Sequence, residues 1–232
     1  MRRDLLAKVA DAMPEVTDRR RRERIARGAC VAMVMCVLEG LLFRRYTDRI
    51  MRELRVEGME NLPSCGAVLV ANHQSIVDIP MLLSAFPRPV RFLAKRELGE
   101  IPLFGKAMAA AGNLFIDRDD PRNAVRMLRD VGARLRDGRL VVVFPEGTRS
   151  GDGSIGEFRP GAFYLAQKSG APVVPVYIGG GRIALPKGSL RVRPADLLVR
   201  VLPPLSPDEG AGGSKEQIAE SVRSRLIREG ER

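Results

Sequence analysis

Histidine occurs once in this 232-residue chain, tryptophan not at all, and cysteine three times. Each scarcity excludes something. Cys30, Cys36 and Cys65 are odd in number and lack a Cys-x-x-Cys spacing, so they form no disulfide framework and point to a reducing compartment. With a single histidine beside them they make a poor ligand set, and no metal is expected. Aromatic residues are 5% of the chain, which leaves no stacking platform for single strands, so no nucleic acid partner is expected. A run of about 20 apolar residues, the length of a spanning helix, is also missing. Nothing suggests a bound cofactor.

Basic charge is what the chain has in excess. Lys and Arg together number 39 and the formal net charge is +11. Most of these residues are Arg, whose planar fork suits bidentate contact with phosphate or carboxylate. The balance fits anionic lipid or a phosphorylated substrate. Apolar residues make up 45%, enough for one large core.

The first 50 residues read as a separate piece. The Arg-rich "RRRRERIAR" (19–27) precedes "GACVAMVMCVLEGLLF" (28–43), which "RRYTDR" follows. The apolar run is short for a crossing and carries Glu39, while arginines stand at both ends. This pattern predicts a helical, membrane-associating segment over 1–50 that lies in one leaflet with its arginines at anionic headgroups. A buried core helix with charged flanks would show the same residues.

From residue 51 to 205 short apolar runs alternate with helical patterns. The strand candidates are "AVLVAN" (67–72), "VRFLA" (90–94), "NLFID" (113–117), "RLVVVFP" (139–145), "PVVPVYI" (172–178) and "DLLVRVL" (196–202). Near-continuous apolar runs belong to strands covered on both faces. A helix is predicted over 121–136, where Asp120 serves as cap, Pro121 fits the first turn and Gly138 ends it. Another runs from about Pro160 to Lys168. The Pro/Gly-rich "PPLSPDEGAGG" then opens a last portion, 206–232, that carries a polar helix over roughly 214–228. The alternation predicts an α/β fold with a central, mostly parallel sheet flanked by helices.

The lone histidine, His73, follows "AVLVAN" directly, at the C-terminal end of a strand, where ligand sites of open α/β sheets gather. Asp78 lies five residues on, before an apolar helix that it is expected to cap. If the chain folds back through Gln74–Val77, Asp78 accepts a hydrogen bond from one imidazole nitrogen and leaves the other free to take a proton. A surface histidine beside a capping aspartate would have the same spacing. Further along, "VVVFPEGTRSGDG" (141–153) runs a buried strand into Glu146, Gly147, Thr148 and Arg149. Gly147 permits close backbone approach, the loop N–H groups can form an anion nest, and Arg149 adds a guanidinium. Arg118 after "NLFID" and Lys95 after "VRFLA" also stand just past strand ends. In a parallel sheet those ends meet on one edge.

"NHQSIVD", "GNLFIDR", "FPEGTRS" and "VVPVYI" occur in that order. Together they resemble the four sequence blocks of the glycerophospholipid acyltransferases, and in particular the 1-acylglycerol-3-phosphate acyltransferase family. "FLAKRELGEIPLFGKAM" between the first two blocks is similar as well, so the likeness spans about residues 55–205. It implies an acyltransferase domain that moves a fatty acyl group from acyl-CoA or acyl-carrier protein, as co-substrate, to the free hydroxyl of a lyso-lipid acceptor, giving phosphatidic acid in phospholipid biosynthesis. His73 would be the general base and Asp78 its partner. Arg118 and the loop Glu146, Gly147, Thr148, Arg149 would bind the acceptor phosphate, with Lys95 as a further cation. The expected setting is the cytoplasmic face of the cell membrane, as a peripheral or monotopic protein. Two other readings stay open: an acyltransferase for a different lyso-lipid, such as lyso-ornithine lipid or a lysophospholipid, and a non-catalytic peripheral lipid-binding protein.

Overall fold

Five consecutive apolar residues, Ala67–Ala71, are all fully buried. A strand with no polar face must be covered on both sides, and the fold is arranged around that need. The computed structural model describes residues 54–101, 103–116, 130–189, 193–205 and 213–231. The membrane-associating segment expected over 1–50, the candidate Arg118, and the part of the predicted 121–136 helix before residue 130 lie outside the described residues. Over 130–136 the chain is helical as expected.

The sheet has seven strands: β1 (Leu54–Glu57), β2 (Ala67–Ala71), β3 (Val90–Lys95), β4 (Leu114–Ile116), β5 (Leu140–Val143), β6 (Val173–Gly179) and β7 (Leu197–Val201). Their order is β1-β7-β6-β2-β5-β3-β4. Every neighbouring pair is parallel except β6 with β7. Strand β2 is central, with Val68 registered against Val141 of β5 on one side and Val173 of β6 on the other. The loops that leave the C-terminal ends of β5 and β6 therefore flank whatever leaves the end of β2.

Helices cover both faces. They are α1 (Asp78–Ala85) after β2, α2 (Arg96–Glu100) and α3 (Phe104–Ala110) between β3 and β4, α4 (Gly161–Ser169) between β5 and β6, α5 (Gly181–Ala184) after β6, and α6 (Lys215–Gly230). Alternate residues of β2 point to opposite sides. Leu69 joins Met81 and Leu82 of α1 in one apolar cluster. Val68 and Val70 join Phe163 of α4 and Val222 of α6 in the other.

The six predicted strands all form, and the sheet is mostly parallel, as expected. The edge strand β1 went unread. "LRVE" is four residues long with charges at alternate positions, and only its pairing with β7, more than 140 residues on, makes it a strand. The helix predicted over Pro160–Lys168 is present as α4, closed by Gly170 in the left-handed region at φ 64°. The last helix is amphipathic. Ser214 and Gln217 form a reciprocal capping box at its start, which satisfies two otherwise orphan N–H groups. Ile218, Ala219, Val222 and Leu226, which share one face of the helix, are buried against the sheet. The portion expected over 206–232 thus contributes core to the same sheet, although residues 206–212 lie outside the described residues. Leu226 is fully buried, so Leu226→Ala is expected to destabilise the protein by about 2–5 kcal/mol. The shift in denaturation midpoint measures it, and a surface-like loss under about 0.5 kcal/mol would show that α6 adds no core.

Candidate active site

The site begins where β2 stops. Asn72 is buried, and its side-chain amide donates to the Ile178 carbonyl at 2.9 Å while its oxygen accepts from the Ile178 N–H at 2.8 Å. This pair of bonds holds the end of β2 to β6 and fixes where the next residue emerges. That residue is His73. Its backbone N–H donates to Glu146 Oε1 at 2.8 Å, and its carbonyl accepts from the Ser150 N–H at 2.8 Å. Its ring stacks on Phe144 with centroids 4.0 Å apart and planes 16° from parallel. The loop after β5 therefore grips the histidine by backbone and ring together.

Asp78 completes the pair. His73 Nδ1 lies 2.8 Å from Asp78 Oδ2, and the carboxylate is fully buried. A carboxylate only accepts, so Nδ1 carries the hydrogen and Nε2 is the basic nitrogen. The fold-back through Gln74–Val77 has a definite cause. The same Oδ2 accepts from the backbone N–H groups of Gln74 at 2.7 Å and Ser75 at 2.9 Å. Ser75 is anchored in turn by its hydroxyl, which donates to the Leu185 carbonyl at 2.7 Å. One sequence expectation needs correcting: Val77 occupies the N-cap of α1, with Asp78 as the first helical residue. Asp78 is occupied with the turn that precedes the helix, because three donors converge there on one oxygen.

The other oxygen, Asp78 Oδ1, is buried without a hydrogen-bond partner. It faces Gly181, at the start of α5. A Cβ built on Gly181 would lie 2.4 Å from Oδ1 and 3.3 Å from the Ser75 Cβ. Only glycine leaves room for the carboxylate in this orientation. Gly181 was not a sequence candidate, although the run "GGG" at 179–181, directly after an apolar strand, signals a close approach of this kind.

The loop from Phe144 to Gly156 carries the remaining candidates. Gly147 sits in the left-handed region at φ 73°. Glu146 sits differently from the expectation of a phosphate contact. Its two oxygens accept from the His73 and Gly156 N–H groups, the latter at 3.1 Å. Burial pushes its carboxyl above the ordinary glutamate range, against the downward pull of those two N–H groups. Thr148 is exposed and Arg149 half-buried. Lys187, which the sequence reading passed over, reaches the Arg149 carbonyl at 2.9 Å and the Thr148 hydroxyl at 3.4 Å. Arg182 lies against Gly153, where a Cβ would come within 2.9 Å of its Nε. Both cations follow β6 and reach this loop only through the sheet order. Lys95 ends β3 on the same sheet edge and is exposed. Ser154 and Ser150 hold the Asp152 carboxyl down to about 2 within the loop. Among the described residues no cluster of three His, Cys, Asp or Glu is placed to hold a metal ion.

A mostly parallel α/β sheet with a His–Asp pair at the end of its central strand defines a class, and comparison with known proteins agrees on which. The family model described as "Acyltransferase" matches residues 53–179, more than half of the chain, and the chain belongs to that family. Among curated relatives, the chloroplastic 1-acyl-sn-glycerol-3-phosphate acyltransferase LPAT1 of Arabidopsis thaliana is 43% identical over 139 residues, covering 59% of this chain and 39% of its own length. The 1-acyl-sn-glycerol-3-phosphate acyltransferase of Saccharomyces cerevisiae is 34% identical over 179 residues, covering 75% of this chain and 59% of its own length. The chain thus spans less than two thirds of each. The crystal structure of the 1-acyl-sn-glycerophosphate (LPA) acyltransferase PlsC from Thermotoga maritima superposes with a TM-score of 0.68 at 29% identity, covering 99% of this chain and 87% of that one.

The lone histidine makes the geometry directly testable, because its ¹⁵N resonances in the untagged chain need no assignment. The spectrum is expected to show a protonated Nδ1 and an unprotonated Nε2, with the preference lost in Asp78→Asn. In Gly181→Ala the new methyl must push the carboxylate round, and the Nδ1–H signal should weaken toward that of free imidazole. An unchanged spectrum in Gly181→Ala would mean that the glycine does not set the carboxylate's orientation.

Proposed function

We propose that the chain transfers a fatty acyl group from acyl-CoA or acyl-carrier protein to the free hydroxyl of 1-acyl-glycerol-3-phosphate, giving phosphatidic acid. The observation that carries this reading is the 2.8 Å contact between His73 Nδ1 and Asp78 Oδ2, beside a glycine-containing loop that bears Arg149. The names of the relatives support the choice of acceptor.

In the proposed reaction His73 Nε2 takes the proton from the acceptor hydroxyl as its oxygen attacks the thioester carbonyl. Asp78 orients the ring and stabilises the imidazolium that forms. Collapse of the tetrahedral intermediate forms the ester and breaks the C–S bond. The thiolate leaves with the proton that His73 holds, so the carrier departs as a free thiol and the base is regenerated. Arg149, with Lys95 and Arg118, holds the acceptor phosphate and sets the hydroxyl against the ring, which makes the attack effectively intramolecular. Glu146 serves as a positioning residue, since its carboxylate ties the His73 backbone to Gly156. An acyl-enzyme on Cys65 finds no support. Cys65 is exposed and precedes β2, so the whole strand separates it from His73. The setting proposed is a cytoplasmic membrane surface; among the described residues no helix is long and apolar enough to cross a membrane.

A labelled acyl donor with a panel of lyso-lipid acceptors tests the reading. Product should form with 1-acyl-glycerol-3-phosphate and fall roughly 10²–10⁴-fold in His73→Ala, with the variant still folded. Activity retained within about tenfold would remove the base assignment. Preference for an acceptor without a phosphate monoester would redirect the reading to another lyso-lipid. Arg149→Ala should raise KM for the acceptor, and an effect confined to the donor would overturn the phosphate role.

A further inference from the structure

Of the eight large apolar side chains exposed among the described residues, five lie toward one edge of the sheet, while Val56, Leu83 and Tyr164 lie elsewhere. Ile76 lies in the turn between His73 and Asp78 and is 53% exposed. Leu98, Ile101 and Leu103, which follow β3, are 39%, 45% and 55% exposed, and Ile183, which follows β6, is 59% exposed. Strands β2, β3 and β6 run the same way. All five side chains therefore project from loops and helices at the C-terminal edge of the sheet, the edge that carries His73.

The group at 98–103 belongs to a close-packed pair of helices. Helices α2 and α3 form a tight hairpin, in which a Cβ on Gly105 would lie 1.9 Å from the Gly99 carbonyl oxygen. Gly99 itself is pressed against the Phe115 ring of β4. Glycines at the crossing bring the helix backbones together, and Leu98, Ile101 and Leu103 stay exposed beside it. Among the described residues Leu103 is the non-glycine residue with a positive φ, at 65°, a strained state for a branched side chain.

Cations share this edge. Lys95 precedes the hairpin, Lys106 stands on its α3, and Arg182 and Lys187 lie beyond β6, all four exposed. Glu97 and the Arg96–Glu100 ion pair lie on α2 itself, so the hairpin is near neutral and the positive charge comes from its surroundings. Apolar tips within a cationic rim complement an anionic bilayer, where leucine and isoleucine enter the acyl boundary and lysine and arginine meet headgroups. A protein partner would have to be strongly acidic around an apolar centre.

We infer that the C-terminal edge of the sheet is a bilayer-contacting surface, with the α2–α3 hairpin dipping Leu98, Ile101 and Leu103 into one leaflet of an anionic membrane. The choice of a lipid occupant rests on the reading of the acceptor as a membrane lipid. Under that reading the dipping hairpin brings the histidine to the depth at which a lyso-lipid presents its hydroxyl.

The lack of tryptophan makes the test clean. A single reporter is introduced into the full chain as Ile101→Trp, with Asp137→Trp, on the opposite sheet edge before β5, as reference. Vesicles of phosphatidylglycerol and phosphatidylcholine, plain or with brominated acyl chains, are the probe. The Ile101→Trp emission is expected to move to shorter wavelength on the vesicles and to be quenched by the brominated lipid, while the Asp137→Trp emission does neither. Leu98→Ser combined with Ile101→Ser should weaken vesicle binding roughly tenfold, with turnover of a short-chain, water-soluble acceptor unchanged. Equal behaviour of the two reporters, or no response at position 101, would overturn the inference. So would a blue shift at 101 that needs no vesicles and grows with protein concentration, since a second copy would then cover the patch. Insertion at position 101 in a chain that acylates no lyso-lipid would keep this inference and remove the acceptor assignment instead.

Discussion

The site depends on one buried carboxylate oxygen. Asp78 Oδ2 accepts from the His73 ring and from the backbone N–H groups of Gln74 and Ser75. Burial of a carboxylate is unfavourable by several kcal/mol unless donors surround it, and here the donors come from the turn that the carboxylate itself closes. Folding of that turn and orientation of the imidazole are thus a single event. The second oxygen has no donor and rests on Gly181.

The sheet makes this local device useful. With β5 and β6 on either side of β2, two loops reach His73 from opposite flanks. The β5 loop supplies Phe144 for ring stacking, Glu146 for the backbone N–H and Ser150 for the carbonyl. The β6 loop supplies Gly181 and, through Leu185, the anchor for Ser75. The sheet edge that carries His73 also gathers the cations and the exposed apolar tips, so the histidine, the positive charge and the apolar surface face the same way. Glu146 illustrates the economy of this arrangement: a carboxylate in the loop that bears Arg149 serves to brace the histidine.

Much of this was legible before any coordinates. The strands at 67–71, 140–143 and 173–179 announce themselves because both their faces are buried and the residues are apolar without interruption. The edge strand at 54–57 does not, because its strandness comes from a distant partner. Helix α6 reads as polar because its buried positions are only one in three or four, and its mean hydropathy is dominated by the charged residues between them. His73 and Asp78 stand out by scarcity and by position after a strand. Phe144, Arg182 and Lys187 do not, since each matters only through a neighbour far along the chain, and for Gly181 the glycine run marks a close approach without saying to what.

By itself the sequence determined the layered α/β class, the central strands, and the choice of His73 and Asp78 as the pair to examine, because these follow from local pattern and from residue types with few alternative uses. Tertiary structure alone decided that three donors would converge on one oxygen of Asp78, that Glu146 would serve the backbone instead of an anion, and that residues after β6 would complete a site begun after β2. The physical reason is the same in each case. A hydrogen bond or a close approach depends on distance in space, and strand order converts separations of a hundred residues into contacts of about 3 Å, an ordering that no local pattern encodes.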